Sequence, residues 1–342
     1  MGSKEIGSEF WDIPVSRENN TVFNHNMDWY ISGRSALLAI IKDIGRQVDV
    51  HTVSLPSWCC HTMIEPFIDE GIEVHFYPVY WRDGLIQKIS LDSDVLFLMD
   101  YFGYASEQLD LTGYSGIVIR DVTHSIFSEK HSDADYYFGS LRKWCGVWTG
   151  GYAWTKDGHK LDKRAKEGRY VENQYAVLRE KAMLQKSEYI NRQRSDKGYL
   201  MIYNEAEKVL ENVDIAPSSD RDVRLARRID VDGVKRRRQA NAKVLRQALS
   251  DWLIFRDMKD TDCPLFVSVL VPKGKRDSLR QYLIENEIYC PIHWSISKFH
   301  RLDEQECFIY ENELSLVCDQ RYTEEDMHRM VEVINKFMEG VR

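Results

Sequence analysis

From Ser32 to Thr155, short continuous apolar runs alternate with segments of helical spacing. Ser32-Gly33-Arg34-Ser35 precedes the apolar-periodic ALLAIIKDI, which predicts a helix starting near Ser35. VDVHTVSLPS predicts a short strand ending in a loop, MIEPFIDEG a helix stopping at Gly71, and IEVHFYPV a second strand. VLFLMD (95–100) and GIVIRD (116–121) are compact apolar runs, each ending on an acidic residue, and GGYAWT (150–155) is a further strand. Apolar strands separated by helices and loops imply an α/β fold, a mostly parallel sheet covered on both faces. Such sheets bind ligands at the carboxyl ends of their strands.

The rhythm changes after Lys143. From Lys160 to about Val213 the chain is charged and helical in spacing, punctuated by Gly168 and Gly198. PSSD (217–220) is a loop or helix start, and VKRRRQANAKVLRQAL (234–249) a basic helix. CPLFVSVLVP (263–272) predicts a strand, RDSLRQYLIENE a helix, and IYCPIHW (288–294) a strand or turn. Thr323, followed by Glu324, Glu325 and Asp326, is the expected N-cap of a last helix. The final hundred or so residues thus form an α+β unit, and the expected division is a large domain at 1–236 and a smaller one at 237–342.

Composition narrows the class. With 43% apolar residues and modest Gly and Pro, the chain of 342 residues can bury a substantial core. Its 54 acidic and 46 basic side chains leave a net charge of -8, with no global attraction to nucleic acid or anionic membrane. Lys235 to Arg238 form a basic run without aromatic interleaving, which reads as a helix face toward solvent or a subunit partner. MGSKEIGSEFWDIP lacks a signal-type apolar core, and no stretch is long enough to span a bilayer, so a cytoplasmic protein is expected. Seven cysteines without paired spacing fit a reducing compartment and small core side chains rather than a disulfide framework or zinc ribbon. No metal site is expected.

Three segments could carry chemistry, and each has an ordinary reading beside it. In FGSLRKWCGVWTGGYAWT (138–155), Lys143 lies between an apolar run and a Gly-Gly turn. A partly desolvated lysine there could form an imine, although a lysine stem covering apolar neighbours gives the same pattern. Ser140 could offer its hydroxyl to an anion. Asp121 ends a strand in IRDVTHSIF and could pair with a protonated pyridine nitrogen, or simply cap the next helix. In SGRSALL, Ser35 and the free N–H groups of the helix turn could hold a phosphate, or Ser35 could be a plain N-cap. Neither G-x-x-x-x-G-K-[ST] nor G-x-G-x-x-G occurs, which disfavours ATP and NAD. LPSWCCHT places Trp58 in a loop after a strand, as a stacking platform or a core side chain.

With these segments in order, the chain resembles the DegT/DnrJ/EryC1/StrS family of pyridoxal-phosphate-dependent aminotransferases of fold type I. The resemblance runs through GSEFW, SGRSAL, LPSW, DYFGY, RDVTHS, SLRKW with its following Gly-Gly, PIHW and LSLVCDQRYTEEDMHRMVEVI. It implies the fold-type-I α/β/α architecture with a smaller C-terminal α+β domain, and pyridoxal 5'-phosphate as cofactor. Lys143 would be the Schiff-base lysine, Asp121 the partner of the pyridine nitrogen, and His124 a neighbour of the ring and its phenolic oxygen. Ser140 and Ser35 would bind phosphate, with Arg34 and Ala36 flanking on the same turn. Trp58 is taken as the stacking aromatic, with Cys60 at the position the family more often uses. His293 and Trp294 match a pair near the substrate entrance.

The implied reaction moves an amino group from an amino-acid donor to a keto-sugar-like or other small carbonyl acceptor, in a homodimer with active sites at the subunit interface. Two other readings stand beside it. One is a non-catalytic dimer that binds the cofactor or a sugar, motivated by the lack of a clean counterpart to the family's subunit-crossing motif. The other is a cofactor-dependent elimination or racemisation at Cα.

Overall fold

The computed structural model describes residues 5–23, 26–104, 109–129, 133–162, 168–211 and 214–340, with the backbone alone for 168–173. Among these residues the centre is a seven-stranded sheet. In chain order its strands are β1 (Asp28–Tyr30), β2 (Thr52–Pro56), β3 (Glu73–Tyr77), β4 (Val95–Met99), β5 (Ile117–Asp121), β6 (Tyr136–Ser140) and β7 (Gly151–Thr155). Their spatial order is β1-β7-β6-β5-β4-β2-β3. The pairs from β3 to β6 are parallel, while β7 runs antiparallel to both β6 and β1.

All five residues of β4 are buried, as a strand covered on both faces requires. Helices α1 (Gly33–Gln47) and α2 (His61–Asp69) follow β1 and β2. Residues Ala36, Leu37, Ile40, Ile41 and Ile44 of α1 recur at three- and four-residue spacing and are all buried. Because β3 lies to one side of β2 and β4 to the other, the connections diverge there, leaving a crevice at the carboxyl ends. A polar latch fixes α1 against the sheet: His159, just beyond β7, bridges Asp43 of α1 at 2.8 Å and Asp157 at 2.7 Å. The Tyr136 hydroxyl of β6 donates to the same Asp43 carboxylate at 3.0 Å.

The helical span expected from Lys160 onward resolves into α3 (Gly168–Ile190) and α4 (Tyr199–Leu210), with residues 163–167 and 212–213 outside the described residues. Both punctuating glycines mark helix starts: Gly168 opens α3 and Gly198 is the N-cap position of α4. Then come α5 (Asp220–Ala226), capped by Ser219 of the PSSD segment, and α6 (Val231–Ala248). The smaller unit adds β8 (Phe266–Leu270), α7 (Arg276–Glu285), α8 (Glu304–Asn312), β9 (Glu313–Val317) and α9 (Glu324–Gly340). Its own core gathers Ala242, Leu245, Val267, Leu279, Leu314 and Met330.

Helix α6 straddles the expected division at 236/237, since Val234 packs into the large core and Ala242 into the small one. The start of the chain also reaches across, with Ile6–Gly7 pairing in parallel with Ile288–Tyr289.

Two local expectations differ in detail. Helix α1 begins at Gly33, capped by Ser32, whose Oγ accepts the Ser35 N–H. Thr323 precedes α9, but its hydroxyl donates to Asp326 at 3.1 Å instead of accepting from the helix. The basic run 235–238 is solvated only in part: Arg236 and Arg237 are exposed, whereas Arg238 is fully buried. The periodicity of α6 turns every third to fourth residue inward, so the last arginine of the run follows Val234 into the interior. Five of the seven cysteines are buried, and all are free. No helix among the described residues is long and apolar enough to cross a membrane.

Candidate active site

A cavity of about 400 Å³ opens at the carboxyl ends of the central strands. Three elements converge on it: β5 ends at Asp121, β6 ends at Ser140, and the first turn of α1 presents Ser32, Gly33 and Arg34. Lys143 closes the short turn Leu141–Lys143 that follows β6. Gly33 lets the two approach closely, since a Cβ there would lie 3.3 Å from the Ser140 Cβ, a tight contact. Gly151 is more constrained still, since a Cβ would fall 2.0 Å from the Ser32 carbonyl oxygen.

The pieces set an anion cradle and a buried carboxylate about one cavity. Ser32 takes one of the first free N–H groups of α1, leaving those of Gly33 and Arg34 without an intrahelical acceptor beside Ser140. Arg34 adds a guanidinium, itself 3.7 Å from Glu65. Asp121 is buried, and one of its oxygens accepts the Thr123 N–H at 2.7 Å. Among the described residues no cation lies within ion-pair distance of it. Burial therefore pushes its carboxyl up to about 6, against the opposing pull of the Thr123 bonds and of Lys143. A buried carboxylate in this condition fits a protonated ring nitrogen.

His124 is also buried, and burial, reinforced by Lys143, holds its imidazole down to about 3, so it is neutral. Its Nδ1 accepts the Phe102 N–H at 3.3 Å, which places the proton on Nε2 as a donor. Its ring is nearly parallel to that of Trp294, with centroids 5.9 Å apart.

Of the residues the sequence singles out, Arg34, Asp121, His124, Ser140, Lys143 and Trp294 line this cavity together. Ser35, Ala36, Trp58 and His293 do not. The Ser35 hydroxyl is committed elsewhere: it accepts the Ala216 N–H at 2.9 Å and donates to the Asp214 carbonyl at 3.1 Å, tying α1 to that segment. Ala36 is wholly buried under the helix.

Trp58 belongs to the core, stacked on Tyr101 at 4.9 Å with its Nε1 donating to the His293 carbonyl at 2.7 Å. The wall position belongs to Cys60. Trp58 instead supports Trp294 from behind, their rings 5.6 Å apart. His293 is buried in a polar chain. Its N–H donates to Glu313 at 2.7 Å, Ser315 Oγ donates to the same carboxyl at 2.5 Å, and His293 Nδ1 lies 2.8 Å from that Oγ. Burial raises the Glu313 carboxyl to about 8.

Sequence reasoning missed Ser32, Thr123, Arg142 and Glu207. Ser32 carried a legible signal, a serine three residues before the N–H that it caps. Thr123 follows Asp121 by two and supplies the turn bond to it. Arg142 and Glu207, joined at 2.6 Å, come from positions far apart in the chain and have no local signature.

No family model and no curated protein matches this chain. Solved structures do. A DegT DnrJ EryC1 StrS aminotransferase from Brucella abortus is 15% identical, with a TM-score of 0.60 over 91% of this chain and 85% of that one. The putative sugar aminotransferase Spr1654 of Streptococcus pneumoniae, in its PLP form, is 13% identical, with a TM-score of 0.60 over 92% and 88%. PseC of Helicobacter pylori, an aminotransferase of pseudoaminic acid biosynthesis, is 11% identical, with a TM-score of 0.59 over 97% and 100%. The architecture is that of the fold-type-I pyridoxal-phosphate transferases: a largely parallel sheet between helices, plus a smaller C-terminal α+β region.

Proposed function

We propose that this chain is a pyridoxal-phosphate-dependent aminotransferase acting on a small carbonyl acceptor of keto-sugar type. The observation that carries the reading is the meeting of the Lys143 amine, the unpaired buried carboxyl of Asp121, and the Ser140–α1 anion cradle in one cavity. When bound, the cofactor supplies an aldehyde that condenses with amines and a ring that accepts the electron pair left at the amine carbon.

The chain's residues do the rest. Ser140 and the first N–H groups of α1 would hold the phosphate. Asp121 would keep a proton on the ring nitrogen by its negative charge. His124 Nε2–H would be the donor available to the ring's phenolic oxygen. Lys143 Nζ would hold the group covalently and, when freed by a donor amine, would be the base that moves the Cα proton. Trp294, with His124 beside it, excludes water from one side.

The half-reaction separates transamination from elimination or racemisation. With glutamate or glutamine and no acceptor, the protein should leave one equivalent of pyridoxamine phosphate, measured by chromatography after denaturation. Recovery of the aldehyde form alone, with turnover of the amino acid, would move the assignment to other Cα chemistry. Recovery of neither cofactor form would favour a non-catalytic binding protein. The same reading has the chain work as a homodimer. Val177 and Leu184, seven residues apart on α3, are each at least 60% exposed and offer apolar surface for it; light scattering decides the point.

A further inference from the structure

A second cavity, of about 530 Å³, lies beyond Lys143 between the start of the chain, α3, α6 and α7. Ser140, Arg142, Lys143 and Glu207 line both spaces, so the lysine amine stands at their junction. We propose that this second cavity is an anion subsite, which receives a carboxylate or phosphate group of the substrate while the reacting carbon lies at Lys143. As a substrate subsite it rests on the function proposed above. As an anion site it rests on its own walls.

Those walls are unbalanced. Among the described residues, and besides Lys143, they carry five arginines, at 142, 179, 238, 280 and 321, against three carboxylates, Glu9, Glu207 and Asp319. The carboxylates are already engaged. Asp319 receives Arg321 through two bonds of 2.8–2.9 Å, Glu207 receives Arg142 at 2.6 Å, and Glu9 lies 3.5 Å from Arg179. Arg238 and Arg280 have no carboxylate within 4.0 Å among the described residues.

Arg238 is the decisive group. It is 0% exposed, and its Nη2 has no hydrogen-bond partner among the described residues. Its other nitrogens are fixed: Nε donates to Gln320 at 2.8 Å, and Nη1 to the carbonyls of Pro264 and Leu265 at 3.1 and 2.9 Å. The guanidinium also lies 4.5 Å from the Trp144 ring centroid. The charge is thus held rigidly in the interior with no counter-charge in contact among the described residues, a costly arrangement that an anion would relieve. Arg280 is similarly oriented by one bond, from Nε to the Cys290 carbonyl at 3.2 Å. Planar forks fixed in this way suit carboxylate and phosphate oxygens.

Two sources share that chemistry: the distal carboxylate of a dicarboxylic amino donor, and a phosphate on the acceptor. Calorimetric titration of the protein with glutarate and, separately, with inorganic phosphate at low ionic strength distinguishes them. At least one probe should bind, and Arg280→Gln and Arg238→Met should each weaken that binding at least tenfold. Glutarate alone assigns the donor carboxylate, and phosphate alone assigns the acceptor. Phosphate seated in the α1 cradle would be indifferent to both variants. Should Arg238→Met fail to fold, Arg280→Gln decides alone. Binding by neither probe, or binding untouched by the variants, overturns the proposal. Fixation of the cofactor on Lys143 is measured on the same preparations. Fixation without anion binding sinks only the subsite, and anion binding without fixation sinks only the proposed function.

Discussion

Lys143→Ala should lower turnover by at least about 10³-fold while leaving the fold intact, because this one amine is both the covalent attachment and the base. The side chain is exposed on the cavity and makes no hydrogen bond or ion pair with other described residues. Its removal should therefore change stability by less than about 0.5 kcal/mol, within the range for surface substitutions. Single-turnover kinetics with glutamate, read alongside a denaturant melt, checks both parts. A variant that kept its rate would remove Lys143 from the chemistry. A variant that lost both rate and fold would leave its role undecided, and Lys143→Arg, which keeps the charge and most of the volume, then settles whether the amine itself is required.

Asp121→Asn should produce the second-largest effect, and its signature lies in pH. The Asp121 carboxyl is raised from 3.8 to about 6 by burial. A group raised on folding contributes stability that is complete below its unfolded value and is lost as pH rises through its folded value. In the cofactor-free protein, ionisation of Asp121 thus costs on the order of 3 kcal/mol between about pH 4 and 7. Asparagine removes that cost. The free variant should therefore be at least as stable as the parent at pH 7, with a flatter stability curve across the window.

Cofactor binding should move the other way. The ionised carboxylate gains a cation in the cavity, so affinity in the parent strengthens as pH rises through about 6, and the variant loses that dependence. Turnover should fall roughly 10²–10³-fold, the scale of losing a fixed charge aimed at the reacting group. Chemical melts of the cofactor-free proteins at pH 4.5 and 7, with cofactor titrations at pH 5.5 and 7.5, test the whole pattern. Equal pH dependence in parent and variant would contradict it.

Much of the sheet was legible because parallel strands buried on both faces are continuous apolar runs: VLFLM and IVIRD became β4 and β5 almost residue for residue. The strands that escaped notice had no such signal. β1 is three residues long, and β6 is YYFGS, aromatic on both faces and running straight into the lysine turn. Asp121, His124, Ser140 and Lys143 could be picked out because each lies at or just beyond a strand end, where chain direction alone places it at the crevice.

Orientation was not legible. Ser35 and Ser32 are both plausible helix-start serines, and only the packing of residues 214–216 against α1 directs one hydroxyl inward. Trp58 and Cys60 lie two residues apart in one loop, and the stacking on Tyr101 decides which faces the cavity. The arginine-walled space was beyond any local pattern. Its cations come from distant positions, and Arg238 was hidden in a basic run in which Arg236 and Arg237 are exposed.

Borohydride reduction in the presence of pyridoxal phosphate, followed by peptide mass mapping, tests the central claim most directly. The account predicts one pyridoxyl group per chain, on the peptide that contains Lys143. No fixed cofactor, or a label spread over other lysines, would contradict it.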